Sequence, residues 1–248
     1  MKADSNKIIA EFNRIKDLGF IKSNRVNTNS GSIGNTFEDY LGVKENNLRD
    51  PDFEGFEVKS QRKFAGSKVS LFTKSPTNPK NANSYLKETF GRGDSKFPTL
   101  KALHASVFGN RWSLVYNAYK MKMVVNRECE RVELLITSIN DEILSDNVYW
   151  SFEDLKSALN KMSSLFVVVA SHRKEGDIEY FHYNSATVYH NLDFDKFLKV
   201  LEDGFIMFDI RIGVFKTGKY IGKPHDHGSG FRLNRDIISQ LYEEVIVI

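Results

Sequence analysis

The sequence predicts an α/β fold of the α+β type, in which helices flank a mixed sheet and the chain forms two lobes. An apolar stripe at helical spacing lies near the amino terminus: Ile8, Ile9, Phe12, Ile15 and Leu18. The stretch 165–171 is continuously apolar, which is typical of a buried strand. The stretch 140–147 is acidic and polar, so we place a boundary there, between lobes 1–143 and 144–248.

The first lobe is predicted to begin with a helix capped by Ser5 or Asn6, followed by a second helix that ends at Gly42. Its later segments are rich in branched and aromatic residues, which favours strands, and they are separated by turn residues. The predicted strands are 53–61, a neighbouring strand 68–74, 112–125 and 131–139, with a short helix at 83–90 and a hairpin turn at 126–130.

The second lobe is predicted to open with a helix, because Ser151 and the acidic residues after it have the form of a capping box. A strand at 179–186 pairs with the apolar run, and Asp193 caps a helix that ends at Gly204. The predicted later segments are a strand 209–215, a polar loop 223–230, a strand 231–233, a helix 235–242 and a strand 245–248.

Composition narrows the class of protein. The net charge of +3 is too small for a histone-like binder, so only the local placement of charge informs about nucleic acid. The single cysteine, Cys129, excludes an internal disulfide and a cysteine-rich zinc site, and it fits a reducing cytoplasm. No signal-like apolar core and no apolar run of membrane-spanning length occurs, so we expect a cytoplasmic protein without a membrane partner.

The stretch Pro51 to Lys59 carries the strongest chemical signal. Glu57 and Lys59 are two residues apart, so on a strand they share a face beside open space, while Phe56 and Val58 point to the core. Gly55 can bend the chain and bring Asp52 alongside Glu57. Two carboxylates and a lysine can hold Mg²⁺ and hydrolyse a phosphodiester. The competing interpretation is an ordinary solvated strand face.

Two further groups of charged residues accompany this stretch. Glu38, on the preceding predicted helix, can lean into the metal site, although two solvated acids, Glu38 and Asp39, are the simpler interpretation. Lys74 belongs to a basic edge beside the second strand, which suits a polyanion approaching a metal; surface lysines that serve solubility are the alternative.

The carboxy-terminal part groups Arg211, His225, Asp226, His227 and Arg232 on a predicted strand–loop–strand, with a basic turn that carries Lys216 and Lys219. Arginine and histidine can donate to guanine O6 and N7, and aspartate can accept from cytosine N4. Such a surface can read G·C pairs. A zinc site on His225 and His227, or a pair of solvated loop histidines, remains an alternative.

These motifs, in this order and over nearly the whole chain, resemble the MvaI/BcnI family of Type II restriction endonucleases. The resemblance rests on Gly34–Asp39, Pro51–Asp52–Phe53, Glu57–Val58–Lys59, Leu71–Pro79, Val148–Phe152, Asp209–Gly213, His225–Gly228 and Phe231–Asn234. The chain departs from the pattern around Asn126, in 91–106, and at Pro224 and Ser229, which leaves the central base pair of a target open.

The resemblance implies a PD-(D/E)xK restriction-endonuclease-like core, related to the nickase MutH, with two lobes that form a DNA-binding cleft. It implies Asp52, Glu57 and Lys59 as the catalytic triad, Asp52 and Glu57 as ligands of one or two Mg²⁺ ions, and Glu38 as an accessory acid. Arg211, His225, Asp226, His227 and Arg232 fall in the DNA-reading region, and lysines such as Lys74, Lys216 and Lys219 are expected to grip phosphates.

The implied activity is Mg²⁺-dependent cleavage of double-stranded DNA at a short pseudopalindromic G/C-rich site, CCWGG in the MvaI-like branch of the family. The expected products carry 5′-phosphate and 3′-hydroxyl ends, and the enzyme is expected to act as a monomer that cuts one strand per binding event. A cognate DNA methyltransferase, but no stable protein partner, is expected. The alternatives are a MutH-like nickase, a non-catalytic DNA-binding module and a zinc-dependent binding domain.

Overall fold

The computed structural model describes residues 3–25, 31–43, 51–64, 66, 68–94 and 97–248. The first part of the chain contains α1 (Ser5–Asp17), β1 (Ile21–Lys22), α2 (Ser32–Leu41), β2 (Glu57–Arg62), β3 (Val69–Thr73), α3 (Ala82–Phe90), β4 (Arg92–Gly93), β5 (Lys101–Phe108), β6 (Ser113–Val115), β7 (Tyr119–Asn126), β8 (Arg131–Ser138) and β9 (Ile143–Ser145). The remainder contains β10 (Tyr149–Ser151), α4 (Phe152–Leu159), a 3₁₀ helix (Asn160–Met162), β11 (Ser164–Glu175), β12 (Ile178–Leu192), α5 (Phe194–Glu202), β13 (Met207–Val214), β14 (Pro224–Asp226), β15 (Gly230–Leu233), a second 3₁₀ helix (Arg235–Leu241) and β16 (Tyr242–Val247). The mixed α/β composition is therefore confirmed.

The chain divides into two compact units, and each is built from separated stretches. Unit 1 comprises Met1–Val69, Leu159–Asp193 and Ile238–Ile248, and unit 2 comprises Ser70–Ala158 and Phe194–Ile237. These units differ from the expected consecutive lobes 1–143 and 144–248. The reason is a strand pairing: β2 takes β11 as its parallel neighbour, although the whole stretch 70–158 lies between them in sequence.

The sheet of unit 1 has the order β1–β12–β11–β2, with β16 also paired to β12. The parallel register aligns Leu165 with Glu57 and Ala170 with Arg62. The prediction that β3 is the neighbour of β2 is wrong, because β3 pairs with β15 in another sheet. The apolar run of β11 explains the choice, since a parallel strand in the middle of a sheet is buried on both faces.

Both helices of unit 1 pack on this sheet through apolar stripes. The shared core contains Ile8, Phe12, Ile15, Ile33, Phe37, Phe56, Val58, Phe166 and Val168. Asp4, not Ser5 or Asn6, caps α1, since its side chain accepts a hydrogen bond from the Asn6 N–H (3.0 Å). Leu18 lies beyond the helix and is half exposed, so the stripe ends at Ile15. Gly42 ends α2 with a φ of 76°, as predicted.

Unit 2 contains two sheets. One has the order β3–β15–β13–β5–β4 with β14 added on β13, and the other has the order β10–β8–β7–β6 with β9 added on β8. Trp150, Phe208 and Phe231 pack together in the buried interior. Part of the predicted loop 223–230 is strand β14, and the predicted helix 235–242 is a 3₁₀ helix that ends at Leu241.

In the part of the chain that the structure describes, no helix combines the length and apolarity that crossing a membrane requires.

Candidate active site

A tight turn before β2 places Asp52 in unit 1. Phe53 and Phe56 exchange backbone hydrogen bonds of 3.0 and 2.8 Å, and the residues between them, Glu54 and Gly55, have φ values of 48° and 85°. Positive φ at both central positions is the conformation of a type I′ turn, for which glycine is suited. The turn folds Asp52 back so that its Oδ2 accepts a hydrogen bond from the Val58 N–H (2.8 Å). The predicted bend at Gly55 is therefore present.

Apolar and charged side chains alternate between the two faces of β2, as predicted. Phe56 and Val58 are buried in the apolar core, whereas Lys59 Nζ donates to Glu57 Oε1. The prediction that Glu57 lies beside open space is wrong, because Glu57 is only 1% exposed. Two lysine side chains explain the burial, since both Lys59 and Lys161 cover the carboxylate.

Sequence reasoning missed Lys161. Its Nζ lies 2.8 Å from Glu57 Oε1, and its side chain is 31% exposed. Lys161 belongs to the 3₁₀ helix just before β11, and the parallel pairing of β11 with β2 brings that helix to the end of β2 where Glu57 lies. The signal was its position four residues before Leu165, but it becomes informative only once the partner of β2 is known.

The two carboxylates feel different surroundings. Burial raises the pKa of Asp52 above its ordinary value, the hydrogen bond from Val58 opposes this shift, and the negative charge of Glu57 adds to it. The second oxygen of Glu57, Oε2, is buried and has no hydrogen-bond partner among the residues that the structure describes. An unsatisfied buried carboxylate oxygen is costly unless a ligand completes it.

This donor set fits a divalent cation. Hard oxygen ligands of the carboxylate type are what Mg²⁺ prefers, and Glu57 Oε2 is an oxygen that lacks a partner. Among the described residues, no three His, Cys, Asp or Glu side chains converge as a metal cluster. Glu38 lies on α2, which packs on β2, and its carboxylate folds back over Gly34 on its own helix. The structure therefore brings together Asp52, Glu57 and Lys59, without Glu38 as a third clustered ligand.

Arg211 has an exposed side chain in the predicted reading region, which lies in unit 2. It is 49% exposed, and its Nε donates to Asp209 Oδ2 over 2.6 Å. Arg232 lies on the adjacent β15 with its Nε 3.0 Å from the same oxygen, while its Nη atoms donate to Ser70 Oγ and Gly228 O. Burial, aided by the charge of Arg211, lowers the pKa of Arg232.

Asp226, at the end of β14, fixes the polar loop that follows and ties it to α3. Asp226 Oδ1 accepts from the N–H groups of Gly228 (3.0 Å) and Ser229 (2.6 Å), and its Oδ2 accepts from Asn83 Nδ2 (2.9 Å). The rings of His225 and His227 have centroids 4.2 Å apart. In the portion with described coordinates, no third metal ligand joins these two histidines.

A family model and two solved structures point to one family. The model of the MvaI/BcnI restriction endonuclease family matches residues 9–242. The chain belongs to the MvaI/BcnI restriction endonuclease family. It is therefore a site-specific deoxyribonuclease. Restriction endonucleases of this family generally use a divalent metal for catalysis.

Two solved structures show the same relationship. Restriction endonuclease MvaI in complex with a cognate DNA substrate is 35% identical, with a TM-score of 0.87 over 98% of this chain and 97% of that chain. MvaI in the absence of DNA is 33% identical, with a TM-score of 0.66 over 100% of both chains. A comparison with curated proteins found no match. The expected restriction-endonuclease fold is confirmed.

The predicted phosphate-binding lysines of this MvaI/BcnI family member occupy separate surroundings in unit 2. Lys74 Nζ lies 2.6 Å from Asp154 Oδ1, and this contact, with a hydrogen bond from Thr77, lowers the pKa of Asp154. Lys216 Nζ pairs with Asp94 Oδ2 at 2.5 Å. Lys219 is exposed, with its Nζ 5.0 Å from the centroid of the Tyr220 ring.

An open depression of about 550 Å³ lies beside Arg211. It is lined by His104, Ala105, Ser106, Asp209, Ile210, Arg211 and His227. Sequence reasoning missed His104 and Asp209. His104 sits directly opposite Arg211 in the antiparallel pairing of β5 with β13, a long-range relationship that no local motif signals.

Proposed function

We propose that this family member is a Type II restriction endonuclease that uses Mg²⁺ to hydrolyse both strands of DNA at a short pseudopalindromic G/C-rich site, with CCWGG as the candidate sequence. The observation that carries this proposal is the buried Glu57 beside Asp52, with an unpartnered oxygen and a motif lysine in contact. The solved complex of MvaI with a cognate DNA substrate supports duplex DNA as the partner.

The catalytic work is assigned to unit 1. Asp52 and Glu57 would hold one or two Mg²⁺ ions, which supply Lewis-acid activation of a phosphodiester and of water. The ammonium group of Lys59, held by Glu57, orients the attacking water and stabilises the negative charge that develops on the phosphate. Attack on phosphorus with departure of the 3′ oxygen gives 5′-phosphate and 3′-hydroxyl ends. Glu38 is kept in the proposal as an accessory acid on α2.

The reading work is assigned to unit 2. Because Asp209 occupies Nε of Arg211, the terminal nitrogens of this exposed guanidinium are left for a guanine edge. Arg232, His225, Asp226 and His227 complete the proposed reading set. Lys74, Lys216 and Lys219 are proposed to contact phosphates, which adds affinity without sequence information.

The assembly is proposed to be a monomer that cuts one strand per binding event and rebinds for the second. A restriction enzyme also requires protection of the host genome, so a cognate DNA methyltransferase is proposed to belong to the same system. No stable protein partner is proposed.

The test is cleavage of a mapped plasmid by the purified chain with and without Mg²⁺, followed by sequencing of the ends. The expected result is cutting of both strands at CCWGG sites only when Mg²⁺ is present. Asp52→Ala and Lys59→Ala should abolish cutting while a gel shift shows retained DNA binding. Nicking of one strand alone would favour the MutH-like alternative, and cutting by either variant would remove the proposed chemistry.

A further inference from the structure

The two carboxylate oxygens of Glu57 have different contacts. Its Oε1 contacts two ammonium groups, those of Lys59 and Lys161, whereas Oε2 is buried and lacks a hydrogen-bond partner within the described part of the chain. Lys59 is explained by the catalytic motif. Lys161 lies outside that motif, on the 3₁₀ helix before β11, and the proposed chemistry does not use it.

Two cations on one buried oxygen oppose the entry of a third. Charges attract and repel strongly where water is excluded, so a divalent ion that approaches Glu57 meets repulsion from both ammonium groups. Lys161 also lies close enough to Asp52 for its charge to act on that carboxylate. In the absence of DNA, the lysine therefore competes with a metal for the same negative charges.

Lys161 is also open enough to change partner. Its side chain is 31% exposed while Glu57 is 1% exposed, so the ammonium group lies where the buried carboxylate meets solvent. A phosphate oxygen brought to this surface can accept from the lysine, because phosphates form strong charge-assisted hydrogen bonds. Transfer of the Lys161 ammonium group from Glu57 to phosphate would leave Lys59 as the one remaining cation on Oε1.

We propose that Lys161 is a second active-site lysine that keeps Glu57 closed to divalent cations until a DNA phosphate takes the lysine over. DNA and metal then bind cooperatively, and each raises the affinity for the other by the same factor, as linkage requires. This inference rests on the proposed function, since it assumes that Asp52 and Glu57 hold the metal. The consequence for the cell is that the active site binds its divalent cation on DNA and not in the free enzyme.

The experiment measures Ca²⁺ affinity by the Ca²⁺ dependence of the melting temperature, with and without a duplex that carries CCAGG. The variants are Lys161→Met, the charge-preserving Lys161→Arg, and Lys174→Met, an exposed lysine near the other end of β11. A gel run afterwards shows whether the duplex stayed intact. In the wild type, we expect DNA to raise Ca²⁺ affinity by about tenfold, within the usual range for coupled sites.

Lys161→Met should bind Ca²⁺ more tightly than wild type without DNA and should lose most of the DNA effect, whereas Lys161→Arg and Lys174→Met should resemble wild type. If Lys161→Met does not fold, Lys161→Gln takes its place in the same measurement. Unchanged coupling in a folded neutral variant, or weaker Ca²⁺ binding both with and without DNA, would overturn the inference. Mg²⁺-dependent cutting by the wild type would show that the proposed function stands even in that case.

Discussion

The Nε atom of Arg211 donates to Oδ2 of Asp209 over 2.6 Å, and both side chains project from the same face of β13. The same oxygen lies 3.0 Å from Nε of Arg232. One carboxylate thus orients the guanidinium group of Arg211 by a hydrogen bond and forms an ion pair with Arg232, of which Arg211 is the more exposed. Fixed donors lose less entropy when they meet a base edge, and this arrangement motivates the first two predictions.

Replacing Arg211 with alanine should weaken binding to a CCAGG duplex far more than binding to a scrambled duplex. The expected loss on the cognate duplex is about 1–3 kcal/mol, which is the usual contribution of one bidentate base contact. Competition gel shifts in Ca²⁺ provide the measurement. Arg127→Ala is the matched control, because Arg127 is exposed and pairs only at the surface with Glu202. Equal losses on both duplexes would show that Arg211 contacts phosphate, not bases.

Replacing Asp209 with asparagine should cost similar specificity, although Asp209 is buried and is not proposed to touch DNA. The change removes the negative charge that holds Arg211 Nε while it preserves the size of the side chain. Because Asp209 acts through Arg211, the double variant with Arg211→Ala should lose clearly less than the sum of the single losses. Additive losses in the same binding assay would contradict this dependence.

Replacing Asp52 with asparagine should abolish cleavage and raise the melting temperature near neutral pH. Burial raises the pKa of Asp52 in the folded protein, so the folded state loses stability as the carboxyl group ionises, and the loss is complete once the pH exceeds the folded pKa. Stability falls as pH rises through the window between the unfolded pKa, about 3.9, and the raised folded pKa. The gain from asparagine should therefore be complete above this window and vanish below it. Melting curves from pH 3 to pH 8 test the sign.

Replacing Gly55 with alanine should lower both stability and cleavage. Its φ of 85° costs about 1–2 kcal/mol for a residue with a side chain, and an added Cβ would lie 3.2 Å from the Cβ of Ala3. Gly176→Ala is the control, since Gly176 has a similar φ of 61° in open space at the β11–β12 turn. Both variants should lose stability in chemical unfolding, but only Gly55→Ala should lose cleavage rate at a temperature where both are folded.

Strand β2 and the turn before it show what local sequence can predict. The alternation of Phe56 and Val58 with Glu57 and Lys59 predicts which side chains enter the core, and the structure agrees. The bend at Gly55 follows from the freedom of glycine at positive φ. Both features depend on neighbours within a few residues, so the sequence contains the information.

The burial of Glu57 shows what local sequence cannot predict. It depends on Lys161, which reaches the site only because β11 pairs with β2 across a long insertion. The same non-local pairing gives units built from separated stretches, not two consecutive lobes that meet at residue 143. It also places β11, not β3, beside β2. His104 was missed for a related reason, since its position opposite Arg211 depends on strand register. Asp209 was missed although its position two residues before Arg211, on the same face of one strand, is a local signal.

The parallel partnership of β2 and β11 also orders events during protein synthesis. A nascent chain that has passed residue 62 already carries Asp52, Glu57 and Lys59, yet the strand that completes their sheet begins only at Ser164. Domains form as units while the ribosome elongates the chain, so the sheet that carries the proposed catalytic residues cannot be completed until more than 100 further residues have been added after Arg62. Truncated chains that end before Ser164 therefore lack the strand that pairs with β2, and we expect them to be unable to cleave DNA.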